Sequence, residues 1–402
     1  MRILLINPSR TGGHFNEYKI LFTKAFSELG HEVLHFSQST ENPIKNGPSI
    51  SNYAKKFNYI SNLCIKYRKY GIAQWRIRNK ALINLHVLYE YIDHLQNSSN
   101  RPDLLFFAFL DESLGQYLTK WDIDLKLNIP FSGLLFSPPD VRIVPNKFFN
   151  KGPFDHYNIL KSKRCISVGV LSEEAIQEFS KLLNKPVIEL PDVVSVPKSI
   201  QDNSLGEFVR NRASGRFIIG IWGALEQRKG TSEFLQMCLK QSSDKYFFVM
   251  GGRIHNKNNW PENDRYILNK SISGNMENLL IIDQWLSDDD LLSGIQSCDL
   301  LFAAYPGFRF SSGIVGKAAA LGVPVLVNDC FVMAKRVNHY NLGFVKKEQE
   351  DASQWLSDNI LKINKLHNST SFKEGCTRYC ERYGYEQWCK SLELLIKPQN
   401  HS

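Results

Sequence analysis

The chain has 402 residues, 43% of them apolar and 22% charged, and a formal net charge of +9. Such an apolar fraction excludes an intrinsically disordered chain, and the length suits two domains of roughly 150–200 residues better than one core. No run approaches the ~18 consecutive apolar residues that span a bilayer, so a soluble, cytoplasmic protein is expected.

In chain order, "RILLIN" at residues 2–7 reads as a buried strand, and no small-residue cleavage site marks it as a leader. A loop "PSRTGGH" follows, and "NEYKILFTKAFSELG" is an amphipathic helix closed by Gly30. "HEVLHFS" is the second strand; "PDLLFFAFL", "FSGLLFS", "RCISVGVL" and "KPVIELP" are the later strands of the first half. Residues 195–216 are polar and rich in Ser and Asn, as expected of a linker. The second half restarts with "FIIGIWG" and continues through "KYFFVMGG", "NLLIIDQW", "DLLFAAY" and "VPVLVND". A last helical pattern places Trp388, Leu392 and Leu395 on one face. Alternating strands and helices predict an α/β protein with two sequential doubly wound domains facing across a cleft. The expected division is residues 1–194, a linker at 195–216, residues 217–375, and a closing helical segment at 376–402.

Two features bear on partners. Residues 55–80 interleave Lys55, Lys56, Lys66, Arg68, Lys69, Arg76, Arg78 and Lys80 with aromatic residues. That is either a solvated helical face over a core or a surface for an anionic membrane; no nucleic-acid motif accompanies it. The eight cysteines form no CxxC pair, and Cys376 and Cys380 lack a second pair of ligands, so reduced thiols and no metal are expected.

Three loops carry candidate chemistry. Gly12 and Gly13 follow the first strand, where glycine lets backbone N–H groups approach a phosphate or sugar oxygen. His14 at the helix entrance is a candidate general base, or a loop histidine of no catalytic consequence. The spacing GxGxxG is absent, so no nicotinamide cofactor is expected. In "GIWGALEQRKG" a strand ends at Gly223 and a short loop brings Arg228 and Lys229, cations suited to a diphosphate leaving group; the plain alternative is a solvated loop. In "FRFSSGIVGKAAALGVPV", Ser311, Ser312 and Gly313 stand at a helix N-terminus, a cradle for an anion or an ordinary Ser cap.

These stretches resemble the GT-B glycosyltransferases, and within them the large family 4 of retaining enzymes that use nucleotide sugars. "GALEQRKG" is similar to their "GRLxxEKG", and "RFSSGIVGKAAALGVPVL" to their "EGFGLxxLEAMAxGxPVV". "LSDDDLLSGIQSCDLLFAAY", the opening Gly-Gly loop and helix, and the closing "YGYEQWCKSLELLI" extend the resemblance over most of the chain. It implies two Rossmann-like domains, the second holding the nucleotide-sugar, with a terminal helix crossing back to the first. It implies that Lys229, with Arg228, holds the donor diphosphate, that Ser312 and Gly313 contact it, and that the nucleobase lies near Trp285 and Leu286. Gly13 falls in the loop near the donor phosphates or the acceptor.

The resemblance breaks where the family carries two glutamates that contact sugar and ribose hydroxyls. Here those positions are Arg309 and Lys317, which cannot accept a hydrogen bond. Arg309 is then a candidate partner for a carboxylate on an acidic donor sugar. The implied reaction is transfer of a sugar from a nucleotide-diphosphate donor to a glycan or lipid-linked acceptor, retaining and metal-independent, with no cofactor beyond the substrate. An inverting route would use His14 as base, oriented by Asp111 or Glu112. A catalytically silent sugar- or nucleotide-binding protein, or a scaffold, is the reading from a different class.

Overall fold

The computed structural model describes residues 1–7, 14–37, 72–97, 100–113, 118–136, 158–194, 204–274 and 276–397. Gly12, Gly13 and residues 55–71 of the basic stretch lie outside them. The chain divides into two units, one of residues 1–190 with 389–402, the other of residues 191–388.

The first unit is built from β1 (Arg2–Asn7), α1 (His14–Glu28), β2 (Glu32–Ser37), α2 (Ile72–Asn97), β3 (Leu104–Phe107), α3 (Leu110–Ser113), α4 (Lys120–Lys126), β4 (Phe131–Leu135), β5 (Val168–Val170), α5 (Glu173–Leu183) and β6 (Val187–Glu189). Its six strands are parallel in the order β2-β1-β3-β4-β5-β6. Central strands such as β3 and β4 are buried along their whole length, so they read as unbroken apolar runs and not as alternation. Residues 72–80 of the basic stretch form the start of α2, which lays Ala81, Leu85, Leu88, Ile92 and Leu95 into the core.

The second unit runs α6 (Ser204–Ala213), β7 (Phe217–Trp222), α7 (Thr231–Lys240), β8 (Tyr246–Gly251), α8 (Glu262–Ile272), β9 (Leu279–Ile282), α9 (Asp288–Gln296), β10 (Leu300–Phe302), α10 (Gly313–Leu321), β11 (Val325–Asn328), α11 (Phe331–Tyr340), β12 (Gly343–Lys346), α12 (Ala352–His367), α13 (Thr370–Arg382) and α14 (Tyr385–Ile396). Its sheet is parallel in the order β12-β11-β10-β7-β8-β9. The strand order reverses between β7 and β10, and open α/β sheets bind ligands outside the strand ends at such a point. Alternate residues of β7 feed two cores, Ile218 and Trp222 on one face and Ile219 and Ile221 on the other. Trp222 is seated by three glycines: a Cβ on Gly220, Gly251 or Gly294 would come within 2.1–2.4 Å of its indole. Its indole N–H donates to Cys298 Sγ at 3.3 Å.

Part of the segment expected as linker is helical. Leu205, Val209 and Ala213 recur at helical spacing in α6 and pack against the second core, a stripe that the surrounding polar residues conceal. At the other end, the last residues of α14 belong to the first unit, where the Leu395 carbonyl accepts from Ser167 Oγ and the Leu395 side chain lies against Gly169.

Candidate donor-binding site

Two loops leave the second sheet at its switch point, one after β7 and one after β10. The first turns at Gly223 (φ +94°) and again at Gly230 (φ +74°), both in the left-handed region that glycine tolerates. A Cβ on Gly230 would meet the Ala304 carbonyl oxygen at 2.5 Å, so this loop lies directly against the end of β10.

Between these glycines Arg228 and Lys229 project in different ways. Arg228 is exposed; its Nε donates to Glu226 Oε2 at 2.5 Å, and its guanidinium lies 6.0 Å from the Phe308 ring. Lys229 is folded inward, with Nζ 5.8 Å from the centre of the buried Tyr305 ring. Among the described residues its ammonium has no hydrogen-bond acceptor. Burial pushes the Lys229 amine down from 10.5 to about 8; Arg228 adds to the drop and Glu226 opposes it. A partly buried cation with no acceptor among the described residues suits an anion.

The second loop supplies the other half. Tyr305 lies three residues beyond the end of β10 and is hydrogen-bonded to Ser312, while burial pushes its phenol up to about 12. Ser312 caps α10 without a side-chain bond to the helix backbone. Gly313 opens α10, and a Cβ there would meet nothing within 4 Å. A ligand can therefore approach the backbone closely at the start of α10, where the first N–H groups of a helix lack intrahelical acceptors. Ser311 Oγ–H donates to Asp192 Oδ2 at 2.9 Å.

Arg309 is half-buried, its guanidinium 4.9 Å from the Phe331 ring. Phe331 itself sits at φ +53°, a conformation that bulky residues seldom adopt. Close by, Glu348 accepts the Gly307 N–H at 2.6 Å and Cys330 Sγ–H at 3.5 Å. Lys317 is half-buried one turn into α10. On the far side of β7, Trp285 is 72% exposed at the end of β9, edge-on to His255 at 5.6 Å, while Leu286 packs against the core. Asp283 anchors this rim by accepting the Ile254 N–H at 2.9 Å and pairing with Arg253 at 3.5 Å.

The structure thus brings Arg228, Lys229, Ser312 and Gly313 into one cluster around Tyr305 and Phe308, whose rings meet at 5.5 Å. Trp285 and Leu286 form a separate rim of the same sheet edge. His14 and Asp111 belong to the first unit. His14 begins α1, and its side chain lies outside the described residues. Asp111 follows β3 and accepts the Phe136 N–H at 3.2 Å, tying the ends of β3 and β4 together. β1 ends beside them at Asn7, a buried residue whose amide O and N have no hydrogen-bond partner among the described residues. The hollow of about 640 Å³ lined by Ala319, Gly322, Phe372, Cys376 and Cys380 lies at the opposite end of α10 and is not this site.

No family model matches the chain, and no curated protein matches it in sequence. Solved structures do match over its whole length. A glycosyltransferase from Rickettsia africae ESF-5 is 15% identical over 100% of this chain and 99% of its own, with a TM-score of 0.66. An α,α-trehalose-phosphate synthase (UDP-forming) from Burkholderia vietnamiensis is 13% identical over 98% and 99%, with a TM-score of 0.63. HepE of Anabaena, in complex with UDP and glucose, is 12% identical over 98% of both chains, with a TM-score of 0.61. The fold is GT-B.

Within this GT-B chain two residues of the cluster escaped the sequence reading. Tyr305, in "AAYPG", looked like the last apolar residue of a strand, yet it stands between the Lys229 and Ser312 loops. Asp192, in "LPDVV", had only its position after a strand to mark it, and nothing in the sequence ties it to Ser311.

Proposed function

We propose that the chain is a glycosyltransferase that moves a sugar from a nucleoside-diphosphate donor to a glycan or lipid-linked acceptor. The observation that supports it is the convergence on Tyr305, at the switch point of a GT-B sheet, of Lys229 from the loop after β7 and Ser312 from the start of α10. As the bond from anomeric carbon to diphosphate lengthens, negative charge grows on phosphate oxygens. Lys229, Arg228, the Ser312 hydroxyl and the Gly313 N–H are groups that stabilise such charge without reorganising. They supply positive charge from side chains, which is the basis for proposing metal independence. Retention is proposed through the departing phosphate, which accepts the proton of the incoming hydroxyl. The exposed Trp285 face suits stacking of the nucleobase, and Arg309, braced on Phe331, suits a carboxylate on the donor sugar.

Thermal unfolding of the protein against UDP, GDP, ADP, TDP and CMP sugars, neutral and uronic, tests this reading. A shift confined to one base and lost in Lys229→Ala is expected; a ligand at ~100 times its Kd adds ~2.7 kcal/mol. No shift with any nucleotide would sink the proposal, and turnover with neutral but not uronic donors would remove the role of Arg309. Association with an anionic membrane through residues 55–80 is proposed separately. Vesicle flotation lost on changing Lys66, Arg68 and Lys69 to Glu is the expected result.

A further inference from the structure

The cluster at the switch point has opposite chemistry at its two ends. At one end Lys229 faces the Tyr305 ring, and Tyr305 is hydrogen-bonded to Ser312. At the other, Ser311 Oγ–H donates to Asp192 Oδ2 at 2.9 Å. Asp192 is held there from a distant part of the chain: two residues on, the Val194 N–H donates to the Tyr383 carbonyl at 3.0 Å, and the Val194 side chain packs on Gly316.

A serine hydroxyl has one proton and two lone pairs. The proton of Ser311 is committed to a carboxylate, so what Ser311 offers a ligand is lone pairs. Lone pairs repel a phosphate oxygen and accept from a hydroxyl. Lys229 is the reverse case: its ammonium only donates, and its Nζ stands 5.8 Å from the centre of the Tyr305 ring. The two ends of the cluster therefore present opposite polarity, as a ligand with a diphosphate and a polyol requires.

We infer that Ser311, polarised by Asp192, accepts a sugar hydroxyl of the donor, while Ser312 and Lys229 hold its diphosphate. Asp192 is a positioning residue in this scheme; Ser311 touches the substrate. The pair supplies the hydrogen-bond acceptor that Arg309 and Lys317 cannot. The inference rests on the donor-site reading above.

Calorimetric titration of the intact protein with UDP-glucose, UDP and inorganic pyrophosphate tests it. Ser311→Ala and Asp192→Asn are each expected to bind UDP-glucose about tenfold to a hundredfold more weakly, the loss of a charge-assisted acceptor. Pyrophosphate affinity stays within about twofold of wild type, and Ser311→Thr, which keeps the hydroxyl, binds like wild type. A loss confined to UDP-glucose assigns the hydroxyl to the transferred sugar, and a loss shared by UDP assigns it to the ribose. Equal weakening for all three probes, or none in Ser311→Ala, overturns the inference. Should Asp192→Asn fail to fold, the Ser311 pair decides alone. Wild-type protein that binds none of the probes overturns the donor-site reading and this inference together. Binding by wild type that Ser311→Ala matches overturns this inference only.

Discussion

Lys229→Met should stabilise the ligand-free protein at pH 7. The methionine keeps an unbranched side chain, one atom shorter, and removes its charge. In the folded protein the amine is lowered from 10.5 to about 8, chiefly because burial disfavours the charged form. At ~1.4 kcal/mol per pH unit that drop corresponds to about 3 kcal/mol of instability carried by the protonated wild type. The side chain retains some exposure, so about 1–3 kcal/mol is the expected gain. Between pH 8 and 10.5 the folded chain binds fewer protons at this site than the unfolded chain. Wild-type stability therefore rises through that window relative to the variant, and the gain of Lys229→Met shrinks towards zero by its upper end. Thermal unfolding at pH 7 and pH 10 measures this. A shift of about 2–4 °C per kcal/mol is expected for a domain of this size, and comparing the two proteins cancels every other titration. A variant that melts at or below the wild-type temperature at pH 7 would show that the amine is already satisfied, and the case for an anion site would fall with it.

The same amine makes donor binding pH-dependent: affinity for a nucleoside diphosphate should be flat below pH 8 and fall above it by up to about tenfold per pH unit, since a neutral Lys229 must take up a proton. Calorimetry at pH 7 and 9.5 checks this, and Lys229→Met should show no slope. Elsewhere in the unit, Lys346 has a fully buried side chain paired with Glu233 at 2.8 Å. Glu233→Ala leaves that charge uncompensated and should cost about 3–5 kcal/mol, whereas Glu233→Leu combined with Lys346→Met should recover most of it in urea unfolding. Gly251→Ala puts a methyl 2.1 Å from the Trp222 ring; a loss of about 1–3 kcal/mol and altered tryptophan fluorescence are expected, and unchanged melting would mean that the indole can move.

Much of the architecture was legible locally. Strands buried on both faces leave continuous apolar runs such as "FIIGIW" and "YFFVMG", and these fell where the sheet has β7 and β8. Helix α6 was missed because its buried stripe is narrow and its flanks are polar. For the site, Arg228, Lys229, Ser311, Ser312 and Gly313 stood out as residue types that suit phosphate, placed just after strands or at a helix start.

What the sequence by itself determined is the inventory: which segments are strands, which loops carry cations, hydroxyls or glycines, and that two acids are replaced by Arg309 and Lys317. Only the tertiary structure decided which of these meet. Strand order sets β7 beside β10, so loops distant in the chain share Tyr305. It also decided the protonation balance of Lys229, because desolvation depends on neighbours from other strands, and it brought Asp192 to Ser311. Periodicity reports what each segment buries; it holds no record of long-range neighbours, and the chemistry of this site comes from those.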